Sequence, residues 1–239
     1  MINNLTENKY KILSGSMLKL LAILCMAIDH AALILWPVVD LIRLPLNLLG
    51  RSVTVYWVMR KIGRLAFPIF CFLIAEGYVH TRNKLKYALR LLLFAVISEI
   101  PFNLMHSGTL LDLSGQNVYW TLFLGLMLIH VYESPLRGIL KFLGMFGIAA
   151  IAMVLKADYG LNGVLLVFLL HMLRDIPVAK TLLAYPLLSG GYAAFAAFIP
   201  INLYNGQRGF IKAPWTKLLF YIFYPAHILV LIGVRYLLK

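Results

Sequence analysis

Eight apolar runs, most of them close to the length needed to cross a bilayer, constrain this chain more than any other feature. A hydrocarbon core of roughly 30 Å takes about 20 residues of helix. The expected spans are Met17–Trp36, Leu65–Val79, Ala88–Met105, Val118–Tyr132, Gly138–Leu155, Gly160–Leu173, Thr181–Pro200 and Trp215–Leu238. The second, fourth and sixth fall short, so they must extend into their flanks, tilt, or form half-spans beside a cavity. The expected fold is all-α: a polytopic transmembrane bundle of about eight spans, forming a single integral membrane domain over residues 1–239.

Composition agrees. The chain is 62% hydrophobic and 13% charged, with a mean hydropathy of +0.86, whereas a soluble domain carries about 25% charged residues. The formal charge of +13 would point a soluble protein toward nucleic acid. Here it reads as juxtamembrane Lys and Arg meeting anionic lipid, and no nucleic-acid module is visible. Cys25 and Cys71 lie within apolar runs and have neither zinc spacing nor a disulfide framework, so both read as packing residues. No internal repeat or low-complexity segment is visible. The N-terminal stretch 1–16 is polar, and the run after it holds Asp29 and His30 without a cleavage site. It reads as a retained helix, not a signal peptide.

Short-loop Lys and Arg favour both termini on the cytoplasmic side. Inside segments hold Lys9, Lys11, Arg82, Lys84, Lys86, Arg235 and Lys239 among others, whereas Arg43, Arg51, Arg60, Lys61, Arg64, Lys156, Arg208 and Lys212 fall outside. The connection from Pro37 to Arg64 weakens that bias. It is basic and aromatic, with Tyr56, Trp57 and Met59 ahead of Arg60 and Lys61, and is expected to hold an amphipathic helix at the interface.

An ionisable side chain at the centre of a span costs roughly 2.5–3.5 kcal/mol on insertion scales, so such residues face a cavity or a partner. Asp29 and His30 are adjacent and point about 100° apart on a helix. One arrangement turns His30 to a cavity and Asp29 to a neighbouring helix. Glu99 and Asn103, Asn117 and Thr121, and Asp158 and Asn162 are each four apart and share a face. Pro101 frees the carbonyl of Ile97. Arg64 opens the second span, and Tyr224 and His227 flank Pro225 in the last. In the N-inside topology these groups fall in one outer layer, the pattern of a site rather than of scattered glue. At the cytoplasmic ends, Glu76 and His80 precede Arg82, Lys84, Lys86 and Arg90, and Lys86 and Arg90 share a face suited to phosphate.

Other residues read as structural. His130 and His171 sit near cytoplasmic helix ends without a polar companion and read as packing residues. Tyr10, Trp36, Trp120 and Trp215 read as interface-belt or packing aromatics. Gly190-Gly191 reads as a close-packing site within the seventh span, and Glu133, Arg137 and Asp175 as solvated loop charges. No Gly-rich phosphate loop, G-x-S-x-G, H-E-x-x-H or repeated Cys/His pair is present.

Several motifs occur in order along nearly the whole chain. They are Met26-Ala27-Ile28-Asp29-His30, Gly63-Arg64-Leu65-Ala66-Phe67-Pro68-Ile69-Phe70 running into Glu76-Gly77, and Tyr87 with Arg90. Glu99-Ile100-Pro101-Phe102-Asn103, Asn117 with Thr121, Asp158-Tyr159-Gly160 and Phe223-Tyr224-Pro225-Ala226-His227 follow. The series resembles the TraX family, bacterial membrane proteins whose namesake is implicated in N-terminal acetylation of conjugative pilin. In outline it is also similar to membrane acyltransferases such as heparan-alpha-glucosaminide N-acetyltransferase, with an early polar pair and a helix resembling Phe67-Pro68-Ile69-Phe70.

The resemblance implies a multi-pass protein of the bacterial cytoplasmic membrane, with cytosolic acetyl-CoA as donor and a histidine-centred site. The acceptor would be an amine or hydroxyl of a peptide or glycan, with no metal and no nucleic acid involved. His30 is then the expected base and His227 the second choice, because neutral imidazole is suited to proton transfer near neutral pH. Asp29 and Tyr224 complete the expected catalytic group. Arg64, Glu99, Asn103, Asn117, Thr121 and Asp158 are expected to bind substrate, Arg64, Asn117 and Tyr224 being candidates to hold a carbonyl oxygen. Lys86 and Arg90 would hold the CoA phosphates, and Glu76, Glu99, Asp29 and Asp158 are candidate partners of the cations. The rival readings are a small-solute transporter or channel using the same polar layer and a non-catalytic membrane assembly protein.

Overall fold

The computed structural model describes residues 10–48, 50–211 and 213–239. Lys9, Lys212 and the first nine residues of the polar N-terminal stretch therefore lie outside the described residues. The described chain is mostly helical, and short polar side chains start several of its helices. Helix α1 (Gly15–Leu35) is capped by the Ser14 hydroxyl, which accepts from the Met17 N–H. A 3-10 turn (Asp40–Arg43) and an antiparallel hairpin, β1 (Pro45–Leu48) with β2 (Arg51–Thr54), lead to α2 (Val55–Gly63), capped by Thr54. Then come α3 (Ala66–His80) and α4 (Lys84–Ile97), the latter capped by Asn83. The remaining helices are α5 (Glu99–His106), α6 (Val118–Glu133), α7 (Gly138–Val154), α8 (Gly160–Met172), α9 (Pro177–Ala184), α10 (Gly191–Phe195), α11 (Phe198–Asn202) and α12 (Pro214–Leu237).

Three helical segments are long and apolar enough to cross a membrane: α1, Val55–His80 comprising α2 and α3, and Leu218–Leu237 of α12. The pair α4 and α5, bent by 41°, is a fourth if it counts as one span. The bend falls at Ser98. Pro101 sits at the third position of α5, where a missing N–H is tolerated because first-turn donors have no partner within a helix. Helices α6, α7, α8 and the segment Gly191–Asn202 are apolar but shorter.

The stretch 37–64 does hold a helix, as expected, and it is short. Helix is confined there to α2, and the hairpin ahead of it turns through Gly50 at φ +75°, a conformation glycine adopts without strain. The expected span Thr181–Pro200 is broken into α9, a 3-10 turn (Tyr185–Leu187), α10 and α11. Pro186 removes a backbone donor, and Gly191 at φ +56° cannot continue a right-handed helix.

The first and last helices run side by side. Ile211, just ahead of α12, donates its N–H to the Ser16 hydroxyl at the start of α1 (2.9 Å). Lys19 lies over the Phe220 ring (5.6 Å), and farther along both helices His30 meets His227. Contacts that ascend together make α1 and α12 parallel. If both cross the bilayer, the two chain ends emerge on opposite faces and the number of crossings is odd.

The chain divides into two compact units, residues 1–70 with 190–239 and residues 71–189. In the first, α1 packs against both α2 and α12. The loop 203–211 holds its start: Gly15 and Ser16 donate their N–H groups to the carbonyls of Gln207 and Arg208. In the second, α6 is central and packs on α4, α7 and α8, with Leu124, Leu128, Ala152 and Val164 at its core. Leu85, Leu89 and Leu93 leave one face of α4 exposed and apolar, and Phe142, Phe146 and Met153 do the same on α7. Such faces suit a lipid solvent.

Helices α6 and α8 approach closely because Gly125 has no side chain. A Cβ there would lie 2.6 Å from Val167 Cβ. Gly125→Ala is expected to destabilise the protein by about 1–3 kcal/mol, read as a lower unfolding midpoint in detergent. Adding Val167→Ala recovers most of the loss. A midpoint unchanged by Gly125→Ala alone would contradict this packing.

Candidate active site

In the first unit, Asp29 and His30 project from α1 in different directions, as adjacent helical residues must. Asp29 turns to α2, where its Oδ2 accepts from the Arg60 guanidinium at 2.5 Å. Both side chains are largely buried, 18% and 21% exposed, so this is a charge pair held out of solvent. Gly63 makes the approach possible, since any Cβ at that position would collide with the Asp29 side chain. Arg64 lies within coulombic range of the same carboxylate, and a Cβ added at Gly190 would lie 3.1 Å from the Arg64 Cβ. Gly190 thus does serve close packing, but at the break before α10 rather than inside a span. Lys61 turns away from Arg60 and lies between the rings of Trp57 and Tyr192, at 5.3 and 4.8 Å.

His30 turns to α12. Its Nδ1 lies 2.6 Å from His227 Nε2, and the rings are 10° from coplanar. Their centroid separation of 4.9 Å equals that bond plus one ring radius at each end, so the imidazoles meet edge to edge rather than face to face. His227 Nδ1 lies 2.6 Å from the Phe223 carbonyl one turn back. A carbonyl only accepts, so His227 Nδ1 carries the proton. In the neutral pair His227 Nε2 then accepts from His30 Nδ1–H, and the lone pair of His30 is on Nε2. Phe223 stacks on the His227 ring (4.7 Å), and the buried Tyr224 ring stands edge-on to His30 at 5.8 Å. Tertiary contacts thus fix the tautomer and orientation of one imidazole, the arrangement a general base requires.

The other expected substrate residues lie in the second unit, at the end where α6 and α8 begin. Asn117 is fully buried and its amide is committed: Nδ2 donates to the Ala95 carbonyl (2.7 Å) and to Glu99 Oε1 (2.5 Å), while Oδ1 accepts from the Tyr119 N–H. It caps α6. Thr121 donates its hydroxyl to the Asp158 carbonyl, joining the starts of α6 and α8. Glu99 takes its donors from the Asn117 backbone, the Asn117 amide and the Trp120 indole (2.8 Å), not from a cation. Asn103 is buried and donates to the Leu110 carbonyl (3.3 Å). Trp120, read as a belt aromatic, is therefore a specific partner of Glu99. Its spacing of three from Asn117 was the available signal.

The opposite end of this unit is richer than expected. His171 Nε2 pairs with Glu133 Oε1 at 2.9 Å, and His130 Nδ1 lies 3.3 Å from the Tyr78 hydroxyl. Neither histidine lacks a polar companion, and Glu133 is not only solvated. The partners come from other helices, which a reading along one helix does not reveal. Glu76 pairs with His80 (3.4 Å) and Arg174 (3.7 Å). Lys86 is exposed on α4, and the Arg90 guanidinium lies 6.0 Å from the Tyr87 ring. Among the described residues, no group of three or more His, Cys, Asp or Glu is placed to hold a metal ion.

Residues 14–235 match the family model described as TraX protein. The chain belongs to the TraX family. The TraX match spans both units and includes every candidate residue from Asp29 to His227. This TraX-family chain is also 30% identical, over 253 residues, to a Dichelobacter nodosus protein named "Probable fimbrial assembly protein FimC, serogroup H1". That alignment covers 95% of the present chain and 97% of the relative. No solved structure matches it.

Two contributors at the first-unit site escaped the reading of the sequence. Arg60 stands four residues before Arg64, on the same helical face, and that spacing is its one signal in the sequence. The Phe223 carbonyl carries no side-chain signal at all.

Proposed function

We propose that this protein is a membrane-embedded acyltransferase of the bacterial cytoplasmic membrane, moving acetyl from acetyl-CoA to an amine or hydroxyl of a peptide or glycan. The observation that supports it is the chain from the Phe223 carbonyl through His227 to His30, which leaves a basic nitrogen at His30 Nε2. The acceptor attacks the thioester carbonyl while His30 Nε2 takes its proton. The carbon–sulfur bond breaks, and the departing thiolate recovers that proton from the imidazolium. The products are the acetylated acceptor and free CoA. His227 spreads the transient charge and holds the ring. The Arg64 guanidinium and the Tyr224 hydroxyl are the donors assigned to the developing oxyanion. Asp29 and Arg60 fix α1 against α2, so that His30 keeps its direction.

The TraX match and the name of the fimbrial relative support a pilin or fimbrial subunit as the acceptor. That name equally favours a second reading, a non-catalytic assembly protein. Full-length protein in proteoliposomes, given acetyl-CoA and peptides with free N-termini, is expected to release CoA thiol and add one acetyl group per peptide. Thiol release no faster than in protein-free liposomes, across peptide amines and glycans alike, would leave the assembly reading standing.

A further inference from the structure

The helix break between α4 and α5 carries buried polar oxygens that have no partner among the described residues. Glu99 Oε1 accepts three hydrogen bonds, from the Asn117 N–H, the Asn117 amide and the Trp120 indole. Its other oxygen, Oε2, is buried and has no hydrogen-bond partner among the described residues. Asn103 stands four residues on, on the same face of α5. It is 3% exposed, and its amide nitrogen is engaged by the Leu110 carbonyl. Its Oδ1 is likewise buried without a partner, as is the hydroxyl of Ser98, which is fully buried at the bend. Pro101, between Glu99 and Asn103, has no N–H to offer the Ile97 carbonyl.

Burying acceptor oxygens without donors is costly, and native proteins rarely leave them so. Here one of the oxygens belongs to a carboxylate. The missing complement is a group that is positively charged and donates several hydrogen bonds from one atom. A carboxylate held in place by three donors on one oxygen presents the other in a fixed direction. Among the described residues no group of three or more His, Cys, Asp or Glu is placed to hold a metal ion, so a divalent metal lacks the ligand set it takes elsewhere. A broken helix with polar groups at the break is also how membrane proteins build ligand sites in apolar surroundings.

We infer that Glu99 and Asn103 form a binding site for a primary ammonium group, with Glu99 Oε2 and Asn103 Oδ1 each accepting an ammonium N–H. This stands on the second unit's geometry alone and does not require that the chain transfer an acyl group. Three sources carry that chemistry: the N-terminus of a peptide, a lysine side chain, and the headgroup of phosphatidylethanolamine.

The indole of Trp120 bonds the same carboxylate and so reports on it. The full chain is placed in phosphatidylcholine nanodiscs and titrated with methylammonium chloride at constant ionic strength, sodium chloride making up the balance. A saturable shift of tryptophan emission is expected, absent in Trp120→Phe, while calorimetry on that variant still detects binding. Glu99→Gln keeps the acceptor for Asn117 and Trp120 but removes the charge, and it abolishes the calorimetric signal. Asn103→Ala weakens binding about tenfold, the worth of one hydrogen bond from a charged donor. Competition by a peptide with a free N-terminus, by its N-acetylated form carrying one lysine, or by nanodiscs containing phosphatidylethanolamine then identifies the source.

The inference is overturned if sodium chloride alone produces the shift, which would make this an alkali-ion site. It is also overturned if Glu99→Gln, melting at the wild-type temperature, binds methylammonium as tightly as the wild type. A wild type that shows neither shift nor heat overturns it equally, the oxygens then being satisfied by water alone.

Discussion

Replacing His30 by alanine is expected to lower acetyl transfer by about 10²–10⁴-fold, the usual contribution of a positioned general base. The loss falls on kcat, with the KM for acetyl-CoA nearly unchanged, because the imidazole acts on the acceptor's proton and not on the donor's phosphates. His227→Ala leaves the base in place but removes the acceptor that fixes its tautomer, so it costs less than His30→Ala. The double variant costs no more than His30→Ala alone, as expected of residues acting as one unit. Steady-state kinetics in proteoliposomes decide the matter: transfer at the wild-type rate by both single variants would sink the mechanism.

The second large effect is on stability. Arg60→Met is expected to cost about 3–5 kcal/mol, because removing one partner strands the other charge in a buried place. Asp29 is poorly provided for without Arg60: its Oδ1 is already buried and has no hydrogen-bond partner among the described residues. Asp29→Asn together with Arg60→Met removes both charges and is expected to recover most of the loss, so the two changes are strongly non-additive. Reversible unfolding in mixed micelles measures all three variants. A change within about 0.5 kcal/mol for Arg60→Met, the size of an ordinary surface substitution, would mean that the pair is solvated and does not hold α1 to α2.

Much of the secondary structure was legible in the chain. The starts of α6, α7 and α8 coincide with the expected spans, and α12 begins one residue before its predicted start. In lipid every backbone group must be paired within the segment, so a long apolar run has almost no alternative to helix. Asparagine and serine at the caps of α1, α4 and α6 acted locally, as the sequence allows. The break before α10 was also written in the chain, in Pro186 and Gly190-Gly191, but it was overridden by the apolarity around them.

What the sequence could not supply is partnership across distance. Spacing of three or four identifies neighbours on one helix and is silent about the next. Asp29 finds Arg60 31 residues away, and His30 finds His227 across 197. The same limit hid the His171–Glu133 pair and the commitment of Asn117 to its own cap. Helix direction is set in the same way. Lys and Arg counts weigh loops one at a time, whereas the contacts of Ser16, Lys19 and His30 with residues 211, 220 and 227 set α1 and α12 parallel. The sequence by itself determined a family, a helical membrane protein and a roster of polar residues at depth. Only the tertiary structure decided which of them meet, because a hydrogen bond depends on ångströms and direction between helices, and neither quantity is encoded in local spacing.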